Sequence, residues 1–254
     1  MAGLTYGTCY AAFYGGGPPV EVPFLARLVR SFDRDGQLRV LDVGCGTGRL
    51  LKPLVALGWQ VVGMDPQPEN LAEARRVAGG MLGVEVVAGG FGDLEAVETF
   101  DLVVAVGGAW WYLLTPDERA DALSWVARSL RPGGVVVLEG ANFEWILSHY
   151  REPQPSEAAV DGIRVRRAPR HDIDRLRGTW THIDTFSTPA GEELTMVHRL
   201  AIVPVDEVLG ALRGAGFEQV MCYKNWASTA PEPADGSRII AVGRRAAGRT
   251  DDTR

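Results

Sequence analysis

Val40-Leu41-Asp42-Val43-Gly44-Cys45-Gly46-Thr47-Gly48, followed one helix and one strand later by Val61-Val62-Gly63-Met64-Asp65, decides how this chain is read. An apolar strand runs into a glycine turn, a helix follows, and a second strand ends on an acid. Glycines let the backbone turn tightly and pass close to a ligand where a Cβ would clash. Asp65 stands where a carboxylate accepts hydrogen bonds from both hydroxyls of a ribose. The order predicts a site for an adenosine-containing cofactor. A dinucleotide site reads G-x-G-x-x-G and places a pyrophosphate on the helix N-terminus. Here Gly44, Gly46 and Gly48 read G-x-G-x-G after Asp42, with Arg at position 49.

Outward from this stretch, apolar runs and helical patterns alternate. Val20 to Phe32 has helical spacing. Strands are expected at Leu38–Val43, Gln60–Met64, Val84–Ala88, Phe100–Val106 and Val135–Glu139, with helices at Arg49–Leu57 and Glu69–Ala78. Thr115-Pro116-Asp117-Glu118 is a capping box with proline at the first helical position, opening a helix to Leu130. Buried strands alternating with helices predict an α/β fold with a doubly wound, mostly parallel sheet. Three β segments are expected at Ile163–His171, Leu176–Phe186 and Glu193–Val203. A helix at Val205–Leu212 then precedes an antiparallel pair, Glu218–Tyr223 and Ser237–Val242, which finishes the sheet.

Asp42-x-Gly-x-Gly-x-Gly resembles motif I of class I S-adenosylmethionine-dependent methyltransferases. Phe100-Asp101-Leu102-Val103 resembles that family's entry to strand four, Leu130-Arg131-Pro132-Gly133-Gly134 the loop before strand five, and Ala215-Gly216-Phe217 the turn before strand six. The resemblance covers residues 38–140 well and 204–243 loosely. It implies a seven-stranded sheet with an antiparallel β lid inserted in it. The expected plan is one methyltransferase domain over 1–254. It comprises an N-terminal aromatic cap and helix (1–36), a cofactor core (37–140), a lid and substrate insertion (141–203), the C-terminal part of the sheet (204–245) and a disordered tail (246–254).

The resemblance implies S-adenosylmethionine as cofactor, held by Asp42, Gly44, Cys45, Gly46, Gly48, Asp65, Pro66, Gly90, Phe91 and Val106. Asp42 would orient the methionine amino group. The family commonly places an adenine-binding Asp where this chain has Gly90, so the Phe91 backbone N–H, Met64 and Pro66 are expected to serve, with Asp93 as the substitute. Attack on the sulfonium methyl is an in-line displacement in which the protein mainly positions and desolvates. Trp110, Trp111 and Tyr112 follow strand four, where the acceptor should approach, and are candidate substrate contacts by packing or cation–π attraction. The alternative for each is core packing. Tyr6, Tyr10, Phe13 and Tyr14 form an aromatic segment similar to one that closes over the cofactor in small-molecule members; Tyr14 is a catalytic candidate. Of the histidines, His149 is the first choice of general base, and His182 and His198 in the lid are candidate substrate contacts. No acid ends strand four, so no metal is expected.

The expected activity is transfer of a methyl group to an N or O atom of a small molecule, an amine being preferred because no base dyad is evident. Arg164, Arg166, Arg167, Arg170, Arg175 and Arg177 keep an RNA-modifying enzyme open, although Asp161, Asp172 and Asp174 are interleaved and the net charge is −6. An NAD-linked oxidoreductase, an adenosine-cofactor binding protein, or a binder that has lost catalysis are the other readings. Nucleic acid and membrane are not the expected partners. The segment Met1 to Tyr14 lacks the pattern of a signal peptide. Three cysteines, too few for a disulfide framework, fit the cytoplasm. A monomer or a homodimer is expected.

Overall fold

A computed structural model describes residues 4–14, 19–34 and 36–247. The main sheet contains β1 (Arg39–Val43), β2 (Gln60–Asp65), β3 (Val84–Ala88), β4 (Phe100–Ala105), β5 (Leu130–Ala141), β10 (Phe217–Tyr223) and β11 (Arg238–Arg245). Its spatial order is β3-β2-β1-β4-β5-β11-β10. The first five strands are parallel; β11 runs antiparallel to both β5 and β10. Every residue of β4 is buried, as a central strand covered on both faces requires. The chain leaves β1 toward β2 on one side and returns at β4 on the other, so a crevice opens beyond the carboxyl ends of β1 and β4.

Helices α2 (Glu21–Ser31), α3 (Leu51–Val55), α4 (Pro68–Ala78), α5 (Pro116–Ser129) and α7 (Val205–Gly214) connect or cover this sheet. The capping box forms as expected: the Thr115 hydroxyl accepts from the Glu118 amide at 3.2 Å, and Glu118 accepts from the Thr115 amide at 2.9 Å. No helix among the described residues is long and apolar enough to cross a membrane.

The lid is a separate sheet of four antiparallel strands, β6 (Ser156–Val160), β7 (Ile163–Asp174), β8 (Thr179–Ser187) and β9 (Glu193–Ala201), in chain order. The sequence pattern suggested three. Ser156-Glu157-Ala158-Ala159-Val160 has little β propensity of its own and is a strand because β7 pairs with it. Two further elements went unread. The aromatic N-terminal segment is helix α1 (Tyr6–Tyr14), and Phe143–Ser148 is helix α6, capped by the Asn142 side chain. Helix α5 ends at Ser129 as expected, but the loop expected at Leu130-Arg131-Pro132-Gly133-Gly134 is a bulged start of β5: Phe100 pairs with Leu130, and Leu102 with Val135. Of the tail expected to be disordered, residues 248–254 lie outside the described residues, whereas the Ala246 carbonyl accepts from the Gly133 amide.

Candidate active site

Two cavities meet at the glycine turn. One, of about 460 Å³, is lined by Asp65, Pro66, Gln67, Asn70, Gly90 and Phe91 among others. The other, of about 360 Å³, lies beneath the lid and is lined by Asp42, Cys45, Thr47, Tyr14, Trp180 and His182 among others. Gly44, Gly46, Tyr10 and His198 line both, as do Val106, Gly107 and Tyr112.

The turn is tied down by backbone bonds. The amides of Gly44 and Cys45 both donate to the Met64 carbonyl, at 2.7 and 3.0 Å. Gly44 has φ +74°, and a Cβ there would come within 2.6 Å of the Ala109 Cβ, so only glycine fits. The Gly46 amide donates to Asp65 Oδ2 at 2.9 Å, while Asp65 Oδ1 accepts from the Gln67 amide at 2.9 Å and from Asn70 Nδ2 at 3.3 Å. The carboxylate is thereby fixed at the mouth of the first cavity, with acceptor capacity remaining.

These residues fit S-adenosylmethionine. Asn70 is buried and its Oδ1 has no partner. The Asp65 carboxylate dictates that orientation, because the flipped amide would set oxygen against oxygen. An unpaired buried acceptor beside the ribose-binding acid lacks a hydroxyl or amino donor, which the adenosine part supplies. Around the other cavity, burial raises the Asp42 carboxyl to about 7 against the opposing pull of Arg49, with Asp65 and Glu21 adding to the rise. Such a group ionises most readily when a cation arrives beside it.

Gly90 and Phe91 line the first cavity. Asp93 does not substitute for the missing acid: its Oδ2 accepts from the Gly90 amide at 2.8 Å and it lies outside the lining. Cys45, Pro66 and Val106 are lining residues; Gly48 is not, its amide closing the turn on the Cys45 carbonyl at 3.0 Å. Met64 faces the core rather than an adenine.

The acceptor side departs further from expectation. Trp110 and Trp111 are fully buried in the core cluster and touch neither cavity. The Trp111 ring lies across Gly140, where a Cβ would approach within 2.5 Å, so the missing side chain on β5 makes its seat. Tyr112 alone of the three reaches the site. His149 is exposed and stacks on Trp145 with centroids 4.3 Å apart, outside both linings. It follows β5 closely in sequence, but α6 carries it outward.

Pairing across the lid builds the rest. His171 faces His182, and His182 faces His198, setting three histidines in a row across β7, β8 and β9. His171 Nε2 and His182 Nδ1 are 2.7 Å apart. His182 Nε2 lies 3.0 Å from Asp184 Oδ2, and Arg167 Nε donates to Asp184 Oδ1 at 2.7 Å. Tyr14 donates to Asp184 Oδ2 and sits 3.1 Å from His182 Nε2. Burial and the Asp184 carboxylate push the Tyr14 phenol up, so it stays protonated. Burial pushes Asp184 up, but hydrogen bonds from His182 and Tyr14 outweigh it and leave the carboxyl below its ordinary value. Burial and neighbouring His182 lower His171 to about 4. Of the arginine run, only Arg167 turns inward. Arg164, Arg166 and Arg170 are exposed on the outer face, and Arg177 pairs with Asp174 at 3.0 Å.

Beneath the turn lie two ion pairs that sequence reasoning missed. Arg49 forks onto buried Glu21, and Arg238 meets fully buried Glu139, whose other oxygen accepts from the Gly107 amide at 2.8 Å. The signal for the second was present: an acid ending Val135-Val136-Val137-Leu138-Glu139 is a buried charge in need of a partner.

A family model described as a methyltransferase domain matches residues 40–134. The chain carries a class I S-adenosylmethionine-dependent methyltransferase domain. The chain is 35% identical over 123 residues to a ubiquinone biosynthesis O-methyltransferase of Bradyrhizobium diazoefficiens, covering 47% of this chain and 46% of that protein. The chain thus spans about half the length of the curated relatives it matches. The methyltransferase fold extends over nearly the whole chain in solved structures. S-adenosylmethionine-bound CalS10, an amino pentose methyltransferase from Micromonospora echinaspora, is 26% identical with TM-score 0.72, covering 97% of this chain and 100% of that one. The sugar N-methyltransferase KedS8 from Streptoalloteichus is 25% identical with TM-score 0.75, covering 97% and 94%.

Proposed function

We propose that this protein methylates the nitrogen of a small, polar amine, an amino sugar being the favoured class, with S-adenosylmethionine as donor. The observation that carries this reading is the pair of cavities joined at the glycine turn. The one with Asp65 and Asn70 suits adenosine; the one under the lid receives the methionyl end at Asp42 and opens beside it, toward the lid, to the acceptor. Its hydroxyl and imidazole lining, from Tyr10, Tyr14, Tyr112, His182 and His198, suits an acceptor rich in hydroxyl and amino groups. Nitrogen is favoured over oxygen because the likeness to the two sugar methyltransferases runs through the lid as well as the core, whereas the O-methyltransferase likeness covers half the chain.

The cofactor supplies an electrophilic methyl group when bound. Asp65 and Asn70 would hold the ribose side, Asp42 the methionyl ammonium, and Tyr10 and Tyr112 would flank the junction and exclude water. Three free cysteines among the described residues suit a reducing compartment such as the cytoplasm.

Calorimetric titration with S-adenosylhomocysteine, NAD serving as control, tests the cofactor. Incubation with isotopically methyl-labelled S-adenosylmethionine and a panel of amino and hydroxy monosaccharides tests the acceptor. Label on amino sugars alone is the expected result. Label only on hydroxyls would replace nitrogen by oxygen, and binding of NAD in place of S-adenosylhomocysteine would sink the reading.

A further inference from the structure

The residues common to both cavities mark where the methyl group must cross. Three are glycines, one is a valine, two are tyrosines, and the seventh is His198. We propose that His198 is the general base at this crossing and takes the acceptor's proton on Nε2; the proposal rests on the functional reading above.

His198 projects from β9 into a ring of tyrosines. Tyr6, Tyr10 and Tyr14 of α1 and Tyr112 after β4 have centroids 6.1, 6.3, 6.1 and 6.0 Å from its own. Nδ1 lies 2.6 Å from the Tyr112 hydroxyl, while Nε2 is buried and has no partner. The other imidazoles are unsuited. His149 is outside the site, and His171 Nε2 and both nitrogens of His182 are already engaged. Burial, His182 and Arg167 hold His198 below the ordinary imidazole value against the pull of Asp184, so its ring is neutral at physiological pH. The groups facing it are Tyr6, Tyr10 and Tyr14 from α1, Tyr112 from the turn after β4, and His182 from the lid, with Asp184 and Arg167 behind it; Asp65 lies across the cofactor cavity.

Nε2 accepts only in the tautomer with the proton on Nδ1, donating to the Tyr112 oxygen. An ammonium has no lone pair. His198 removes one of its protons, and the freed pair attacks the methyl carbon. The N–C bond forms as the C–S bond breaks with its pair on sulfur. The product leaves as a methylammonium, and the imidazolium gives its proton to water.

Two measurements on the full chain test this. Nitrogen-resolved NMR of the His198 ring, assigned with His198→Gln and taken with S-adenosylhomocysteine bound, should show the neutral Nδ1-protonated form, with Tyr112→Phe shifting the balance toward Nε2–H. An Nε2-protonated ring in the parent overturns the proposal. With the amino monosaccharide turned over fastest, His198→Gln should lower kcat by about a hundredfold. It should also abolish the acid limb of the pH–rate profile and leave S-adenosylhomocysteine affinity within about threefold. Added imidazole should restore part of the rate to His198→Ala. Full turnover in both variants overturns the proposal alone. No amine methylation by parent protein that binds S-adenosylhomocysteine sinks the functional reading, and the base with it.

Discussion

Asp65 serves two tasks with one carboxylate. It anchors the Gly46 amide and the start of α4, and it presents its remaining lone pairs to the cavity. Asp65→Ala is therefore expected to lose two charge-assisted contacts to a ribose and to loosen the turn as well. Calorimetry should show S-adenosylhomocysteine affinity down by about a hundredfold or more. Asn70→Ala, which removes one neutral acceptor, should cost about fivefold to tenfold; an unchanged affinity would show that Oδ1 meets no ligand. Asp65 was legible in the sequence because a strand ending on an acid after a glycine turn is a pattern of neighbours. Asn70 was not, since its position against Asp65 is made by the first turn of α4. The histidines separate the same way. His149 drew notice by closeness in sequence to β5, whereas His198 reaches the site through strand register, to which the order of residues along the chain gives no direct guide.

Helix α1 shows what element-level reading requires. Tyr6, Tyr10 and Tyr14 recur every four residues, one face of a helix, and the Thr5 hydroxyl caps it by accepting from the Thr8 amide at 3.2 Å, yet the segment contains a glycine and its pattern read only as aromatic. Tertiary contact makes it a helix: Cys9 and Phe13 join the lid cluster around Phe186, and Tyr14 is held by Asp184. Asp184→Asn should break this anchorage and leave Arg167 without its charge partner. Hydrogen exchange of the α1 amides is expected to accelerate by at least about tenfold, one RT-scaled decade, while β1 and β4 are unaffected; uniform protection would argue that apolar packing alone holds the helix. In the core the glycine turn was legible down to its residues. Gly44→Ala forces a left-handed backbone on alanine and drives its Cβ into Ala109, with an expected loss on the order of 3 kcal/mol in denaturant titration and a matching fall in cofactor affinity.

Across the whole molecule, two groups pull the pH dependence of stability in opposite directions. The folded state keeps the Asp42 proton up to about 7, whereas an unfolded aspartate releases it near its ordinary value of 3.8. Folded protein binds more protons in that window, so this group's contribution falls as pH rises through it. Asp42→Asn should match the parent at pH below this window and be more stable above it, by on the order of 4 kcal/mol at most. His171 acts in reverse: folded protein takes its proton only near 4, the unfolded chain near 6.5, so stability is lost as pH falls between them. His171→Gln should flatten that acid limb. Melting curves across the range check both signs, and a parent-like slope in either variant would refute the assignment. The sheet order carries a consequence of another kind, in time. The strand that lies between β5 and β10 is β11, the last to be made. While a ribosome is still adding residues before Arg238, β5 has a bare, apolar edge, β10 has no neighbour to join, and Glu139 lacks its arginine. The nascent chain holds an open seam beside its future cofactor site until β11 is made and inserts between β5 and β10.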